Sequence, residues 1–373
     1  MTNCLIIFID SLPYSLVKKE KNLFINTLGE VSPVQPGVGY SINVYAELFA
    51  GLSPDEIGFF NKFTPKERVV RNRIEDSLFR VLDLSRIYPM LSRGLHIAYS
   101  KLMGEENLGN IPFRYLKYFK RKQPMGVFST DKTPTIFNRF GLEISLSPNY
   151  SEGVGLNDKK AFDCAIKKMG NGRNHFVMFG DLDGIAHKFG LKSSRYSEHI
   201  LSLDELCESI IHEFKKINGK NSRIILFSDH GMAEVKEGIT LDIEKKFGKM
   251  DLKSYIYFLD STFLRIWLKD KSLESDMYAY LNSLKCGSVL SNEMRARYGV
   301  VDTAFGDFIF LLDEGKVFFP GFMGGRLVKS MHGYKPELES QAGIFIDSSN
   351  EKGRETPKNS KGVYEYLVNT LES

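Results

Sequence analysis

Six residues dispersed along this chain are of the two types that hold divalent metal ions, and most of them stand where an apolar run ends. Asp10 closes Leu5-Ile6-Ile7-Phe8-Ile9, and Asp183 and His187 follow the run Phe176-Val177-Met178-Phe179. Asp229 and His230 close Ile224-Ile225-Leu226-Phe227-Ser228, and His332 stands in Met331-His332-Gly333-Tyr334. Carboxylates and imidazoles together form the donor set that Zn²⁺ or Mn²⁺ prefers. Two such ions held roughly 3.5–4 Å apart leave coordination positions open for substrate oxygens, the arrangement of a two-metal hydrolase. Asp183 and His187, four apart, can share an ion on one helical turn. The adjacent pair Asp229-His230 can serve one ion or be split between two, and His332 adds a neutral nitrogen. Taken singly, Asp10 reads as a helix N-cap and Asp229-His230-Gly231 as turn chemistry. Their shared position at strand ends is what points to one site.

The elements that must position these residues are legible as short apolar runs near 5–9, 175–180, 223–228 and 341–346, which read as buried parallel strands. Between them lie helical patterns, clearest over 194–217, where Ile200, Leu203, Leu206, Ile210, Ile211 and Phe214 recur at helical spacing. Alternating strands and helices predict an α/β fold with a doubly wound, mostly parallel sheet, whose strand ends open on one crevice. Two segments break the pattern. Residues 62–123 form a basic helical insert, and residues 233–325 mix strand-like and helical runs as a small α+β cap. The metal-bearing core is then 1–61, 124–232 and 326–373.

With 373 residues, 42% hydrophobic and 26% charged, the chain suits one large α/β domain carrying insertions. The net charge of +4 is too mild to argue for a specific nucleic-acid partner. It is unevenly spread: residues 62–122 hold 14 Lys+Arg against 6 Asp+Glu, a local +8. Four cysteines at irregular spacing read as free thiols in a reducing compartment. No basic-then-apolar leader and no apolar run of bilayer-spanning length stands out, so the expected location is cytoplasmic.

A nucleophile is expected near Asp10. Gly37-Val38-Gly39-Tyr40 reads as a sharp turn before a helical run ending at Leu52, which puts Ser41 at a helix N-terminus. Backbone N–H groups and the helix dipole there favour a phosphoryl oxyanion and an alkoxide. A coordinated metal would make the serine hydroxyl competent near neutral pH.

The strings Ile7-Phe8-Ile9-Asp10, Ser41 to Asn61 with Ala50-Gly51-Leu52-Ser53-Pro54, Asp183-x-x-x-His187, Ser228-Asp229-His230-Gly231-Met232 and His332-Gly333-Tyr334 occur in that order. The chain thereby resembles the type I phosphodiesterase/nucleotide pyrophosphatase branch of the alkaline phosphatase superfamily. The resemblance covers about 1–61, 125–232 and 326–347 and leaves the basic insert out. It implies a sheet of alkaline-phosphatase type and two zinc-like ions (Mn²⁺ being the other option), one on Asp183, His187 and His332. The other would sit on Asp10, Asp229, His230 and the Ser41 oxygen. It also implies in-line attack by Ser41, a phosphoserine intermediate, and Asn61 as donor to a non-bridging phosphoryl oxygen. The family's base-stacking aromatics are replaced here by Ile42 and Met178, which weakens the case for a nucleotide, since stacking is worth roughly 1–3 kcal/mol per base. The expected partner is a small phosphate ester or a lipid- or glycan-linked phosphodiester. Tyr115 to Lys122 marks the insert as the place for peripheral contact with an anionic membrane, against a plain role as a packed helical cap. A phosphomonoesterase or phosphotransferase on the same metals is the alternative; it needs extra cations, for which Lys132, Arg326 and Lys329 are candidates. A catalytically silent metal-binding module is the third reading.

Overall fold

The computed structural model describes residues 3–68, 73–83, 89–102, 109–122, 134–146, 157–170, 172–324, 326–349 and 355–373. The chain divides into two compact units. The first comprises 1–57, 125–234 and 328–373, the second 58–124 and 235–327.

The first unit is built on a six-stranded mixed sheet in the order 32–34, 343–347, 223–227, 4–9, 175–179 and 143–145. Strands 223–227, 4–9, 175–179 and 143–145 run parallel. The side chains of 4–9, 175–179 and 223–227 are buried on both faces, which is why these strands read as unbroken apolar runs. Leu5, Ile7, Val177 and Leu226 face helices 158–168 and 194–218. Ile6, Phe8, Phe176 and Ile225 face Val44 and Phe49 of helix 41–50 and Leu367 of helix 360–372. The long helix Ser194–Asn218 starts where Ser193 accepts the Tyr196 N–H and ends at Gly219.

One expectation fails. The strand at 343–347 runs antiparallel to 223–227 and to 32–34 rather than parallel. An apolar run reports burial on both faces but carries no direction, since direction depends on how the connecting chain returns.

The second unit holds a four-stranded antiparallel sheet in the order 255–259, 263–268, 308–312 and 287–289. Its core joins Phe63, Phe79, Phe113 and Phe119 to Tyr257, Phe258 and Phe322, so the two segments that break the sequence pattern share one interior. Tyr115, Leu116 and Phe119 are buried, with Phe119 edge-on to Phe258 and Tyr115 against Phe322. Tyr115 and Phe119 are therefore core, with Tyr118 half-buried against them. All four cysteines are free.

Candidate metal centre

Neighbouring parallel strands end on one edge of the sheet, and the predicted ligands follow from that. Asp10 is the residue after strand 4–9, its N–H on the Phe179 carbonyl at 2.9 Å. Asp229 and His230 follow strand 223–227 by two and three residues. Asp183 and His187 lie on helix Asp181–Phe189, which starts two residues after strand 175–179. His332 arrives by a different route: the short strand Ser330–Met331 pairs antiparallel with Ala233–Glu234, just past His230. Ser41 is the first residue of helix Ser41–Ala50.

These side chains converge. The Ser41 Oγ lies 2.8 Å from His230 Nε2. That nitrogen is 3.3 Å from Asp229 Oδ2 and 3.7 Å from Asp10 Oδ1. His187 Nε2 and His332 Nε2 lie 3.3 and 3.7 Å from Asp183 Oδ1. The His230 and His332 rings stack with centroids 3.7 Å apart. Donor atoms of Asp10, Asp229 and His230 fall close enough to share an ion, as do those of Asp183, His230 and His332. His230 thus faces both groups, where the sequence reading assigned it to one.

The surroundings fix tautomers. His230 Nδ1 lies 2.8 Å from the Gly231 carbonyl and His187 Nδ1 2.8 Å from that of Ser330. A carbonyl only accepts, so both Nδ1 atoms carry a proton, and each ring turns its Nε2 to the site. Tyr45 Oη–H donates to Asp10 Oδ2 at 2.8 Å, and Ser11 N–H to Asp229 Oδ1 at 3.0 Å. Ser11 adopts φ of 65°, among the described residues the lone non-glycine case, a strained conformation that aims its N–H at Asp229. Tyr45 and Ser11 escape sequence reasoning. The available signals are that Tyr45 is one helical turn beyond Ser41 and Ser11 directly follows Asp10.

The donor set fits a divalent cation on the protein's own evidence. Asp10 Oδ1, Asp229 Oδ2 and His332 Nδ1 have no hydrogen-bond partner although water is excluded from them. Burial and the neighbouring Asp229 and Asp183 push the Asp10 carboxyl well above its usual range, and burial raises Asp229 as well. Burial and the adjacent His230 hold His332 neutral. Lost hydration opposes ionisation of Asp183 and His187, but their mutual attraction wins, lowering the carboxyl and raising the imidazole to about 9. Clustered carboxylates that repel one another in this way are relieved by a cation between them.

The remaining predicted residues fall elsewhere. Asn61 belongs to the second unit, buried, with Nδ2 donating to Asp260 Oδ2 at 3.0 Å and Oδ1 accepting the Phe63 N–H. Met178 is a core residue of the sheet and offers no surface for stacking. Arg326 and Lys329 are exposed, and Lys132 lies outside the described residues. A further acid–imidazole group, Asp158, Asp181 and His199, is already satisfied. Asp158 accepts the Gly180 and Asp181 N–H groups, Asp181 accepts the Asp158 N–H, and His199 bonds Asp158 at 2.9 Å. It ties two helix N-termini together.

A family model for type I phosphodiesterase / nucleotide pyrophosphatase matches residues 132–334, just over half of the chain. The chain belongs to that family. As a type I phosphodiesterase/nucleotide pyrophosphatase it is a member of the alkaline phosphatase superfamily, and membership indicates a hydrolase of phosphodiester or pyrophosphate bonds. The match spans Asp183, His187, Asp229, His230 and His332 and begins after Asp10, Ser41 and Asn61. Among solved structures, the fold is similar to murine ectonucleotide pyrophosphatase / phosphodiesterase 5, an inactive variant in complex with AMP. The identity is 16%, the TM-score 0.66, and the match covers 100% of this chain and 95% of that one. The human protein of the same name is similar at 15% identity with a TM-score of 0.66, over 100% and 95% of the two chains. No curated protein matches the chain by sequence.

Proposed function

We propose that this chain cleaves a phosphodiester or pyrophosphate bond with two divalent ions, through a phosphoserine on Ser41. The observation that carries the reading is Ser41 Oγ at 2.8 Å from His230 Nε2, at a helix N-terminus and among carboxylate oxygens that lack partners. Asp183, His187 and His332 would hold one ion, and Asp10, Asp229, His230 and the Ser41 oxygen the other; zinc suits this N/O set best, with manganese the alternative. The ions, when bound, would lower the Ser41 hydroxyl pKa and neutralise charge on the phosphoryl oxygens. Ser41 Oγ attacks phosphorus in line, its proton leaves to solvent, and the ester oxygen opposite departs with the leaving group. Water then attacks the phosphoserine and restores the hydroxyl. First-turn N–H groups of helix 41–50 favour the phosphoryl anion.

The AMP complex of the murine protein supports a small phosphate ester as substrate. Ile42 and the buried Met178 supply no aromatic face for a base, which favours lipid- or glycan-linked diesters over nucleotides. The four free thiols suit a reducing compartment, the cytoplasm.

The test compares bis-p-nitrophenyl phosphate with p-nitrophenyl phosphate, for the wild-type protein and for Ser41→Ala. Diester turnover abolished in Ser41→Ala, with two ions per chain retained, is expected. Undiminished turnover in the variant would remove Ser41 as nucleophile. Preference for the monoester would move the reading to a phosphomonoesterase or phosphotransferase.

A further inference from the structure

The basic insert exposes apolar side chains that its core does not use. Helices Arg73–Asp83 and Pro89–Leu102 pack through Phe79 edge-on to Tyr99 at 5.5 Å, and both rings rest on Phe113. With that face committed inward, Leu78 and Val81 of the first helix remain 54% and 64% exposed. Leu91 and Ile97 of the second are 54% and 49% exposed, in line with Gly94 and Ala98 on the same outward side. These four make half of the exposed large hydrophobics among the described residues, gathered on two consecutive helices. The exposed charges described on the same helices are Arg80 and Lys101, both basic. Asp83 turns inward to accept the Phe113 and Arg114 N–H groups.

We propose that this outward face of the two helices docks shallowly on an anionic phospholipid surface. Aliphatic side chains flanked by cations suit the boundary between acyl chains and phosphate headgroups. A second copy of the chain would bring two +8 segments together, and such like charges repel. A nucleic acid would draw on the charge but leave Leu78, Val81, Leu91 and Ile97 in water, because aliphatic side chains do not stack on bases as aromatics do. The proposal is independent of the phosphoryl chemistry, since it concerns a different unit and is read by binding. The contact is salt-sensitive and reversible, because four aliphatic side chains by themselves hold weakly.

The experiment is flotation of the full chain with phosphatidylcholine vesicles, with and without phosphatidylserine, at low and high salt. Expected is recruitment to the phosphatidylserine vesicles, about tenfold weaker at high salt or without the anionic lipid. Leu78→Gln with Val81→Gln, and separately Leu91→Gln with Ile97→Gln, should each weaken it while hydrolysis of bis-p-nitrophenyl phosphate is unchanged. Should either pair unfold the insert, Arg80→Glu with Lys101→Glu provides the same reading through charge alone. Absence of recruitment, or recruitment indifferent to all these substitutions, overturns the proposal. So does a salt-stable dimer, in gel filtration, that the glutamine variants disperse, because the face then belongs to a second copy.

Discussion

Tyr45 shows how much of the centre depends on side chains that bind no ion themselves. Its hydroxyl holds Asp10 Oδ2, leaving Oδ1 free to face the site. Tyr45→Phe keeps the ring against Phe8 and removes that bond. Outer partners of this kind are worth 10- to 100-fold in metal affinity. The variant is expected to bind metal about tenfold more weakly, with little change in thermal stability, as read by competition with a chelating dye. The candidate ligands were legible because Asp and His near strand ends are few and chemically specific. Tyr45 was not, because an aromatic inside an apolar helix reads as core until its hydroxyl is seen to meet a carboxylate from another strand.

At the level of elements, backbone geometry delivers His332 and His230. Gly333 turns the chain at φ of 81°, and a Cβ there would lie 2.9 Å from the Gly39 carbonyl oxygen and about 3 Å from the Tyr40 ring. That loop leads directly into Ser41, and the Tyr40 ring packs edge-on to His332. Gly333→Ala is expected to cost about 1–2 kcal/mol through the left-handed backbone, with more from the displaced loop. A lowered Tm together with fewer than two ions per chain by elemental analysis checks it. Gly231 is likewise required by close approach, since a Cβ there would lie 2.2 Å from the Ser340 carbonyl oxygen. The sequence carries these glycines openly, but which needs a turn and which a close approach depends on the segment lying opposite. The antiparallel course of 343–347 has the same origin, since its pairing partner and direction are set by a chain that returns from far along the sequence.

For the whole molecule, the centre holds repelling carboxylates in place. In the ion-free protein, burial raises Asp229 from 3.8 to about 7. Its contribution to stability is full below its unfolded pKa and is lost as pH rises through about 7. His187, raised from 6.5 to about 9 by Asp183, likewise loses its contribution as pH rises through about 9. Asp183 has the opposite sign, but its lowered pKa leaves its contribution intact across this window. Chelation should therefore lower Tm at pH 8 by more than at pH 5. Calorimetry with and without chelator at both pH values measures this, and an equal or smaller drop at pH 8 would contradict it.

The α/β class, the three parallel strands 4–9, 175–179 and 223–227, and the residue types of a candidate metal centre could be read from the sequence. Those features are local: apolar runs mark buried strands, and chemically specialised residues keep their identity wherever the chain places them. Tertiary structure alone decided that His230 faces both carboxylate groups and that Tyr45 and Ser11 orient the acids. It also decided that Tyr115 and Phe119 are interior while Leu78, Val81, Leu91 and Ile97 face out. The reason is physical. An amphipathic pattern gives each helix a buried side, but which side is buried is settled only by what packs against it, and a ligand's partner is settled only where distant strands end side by side.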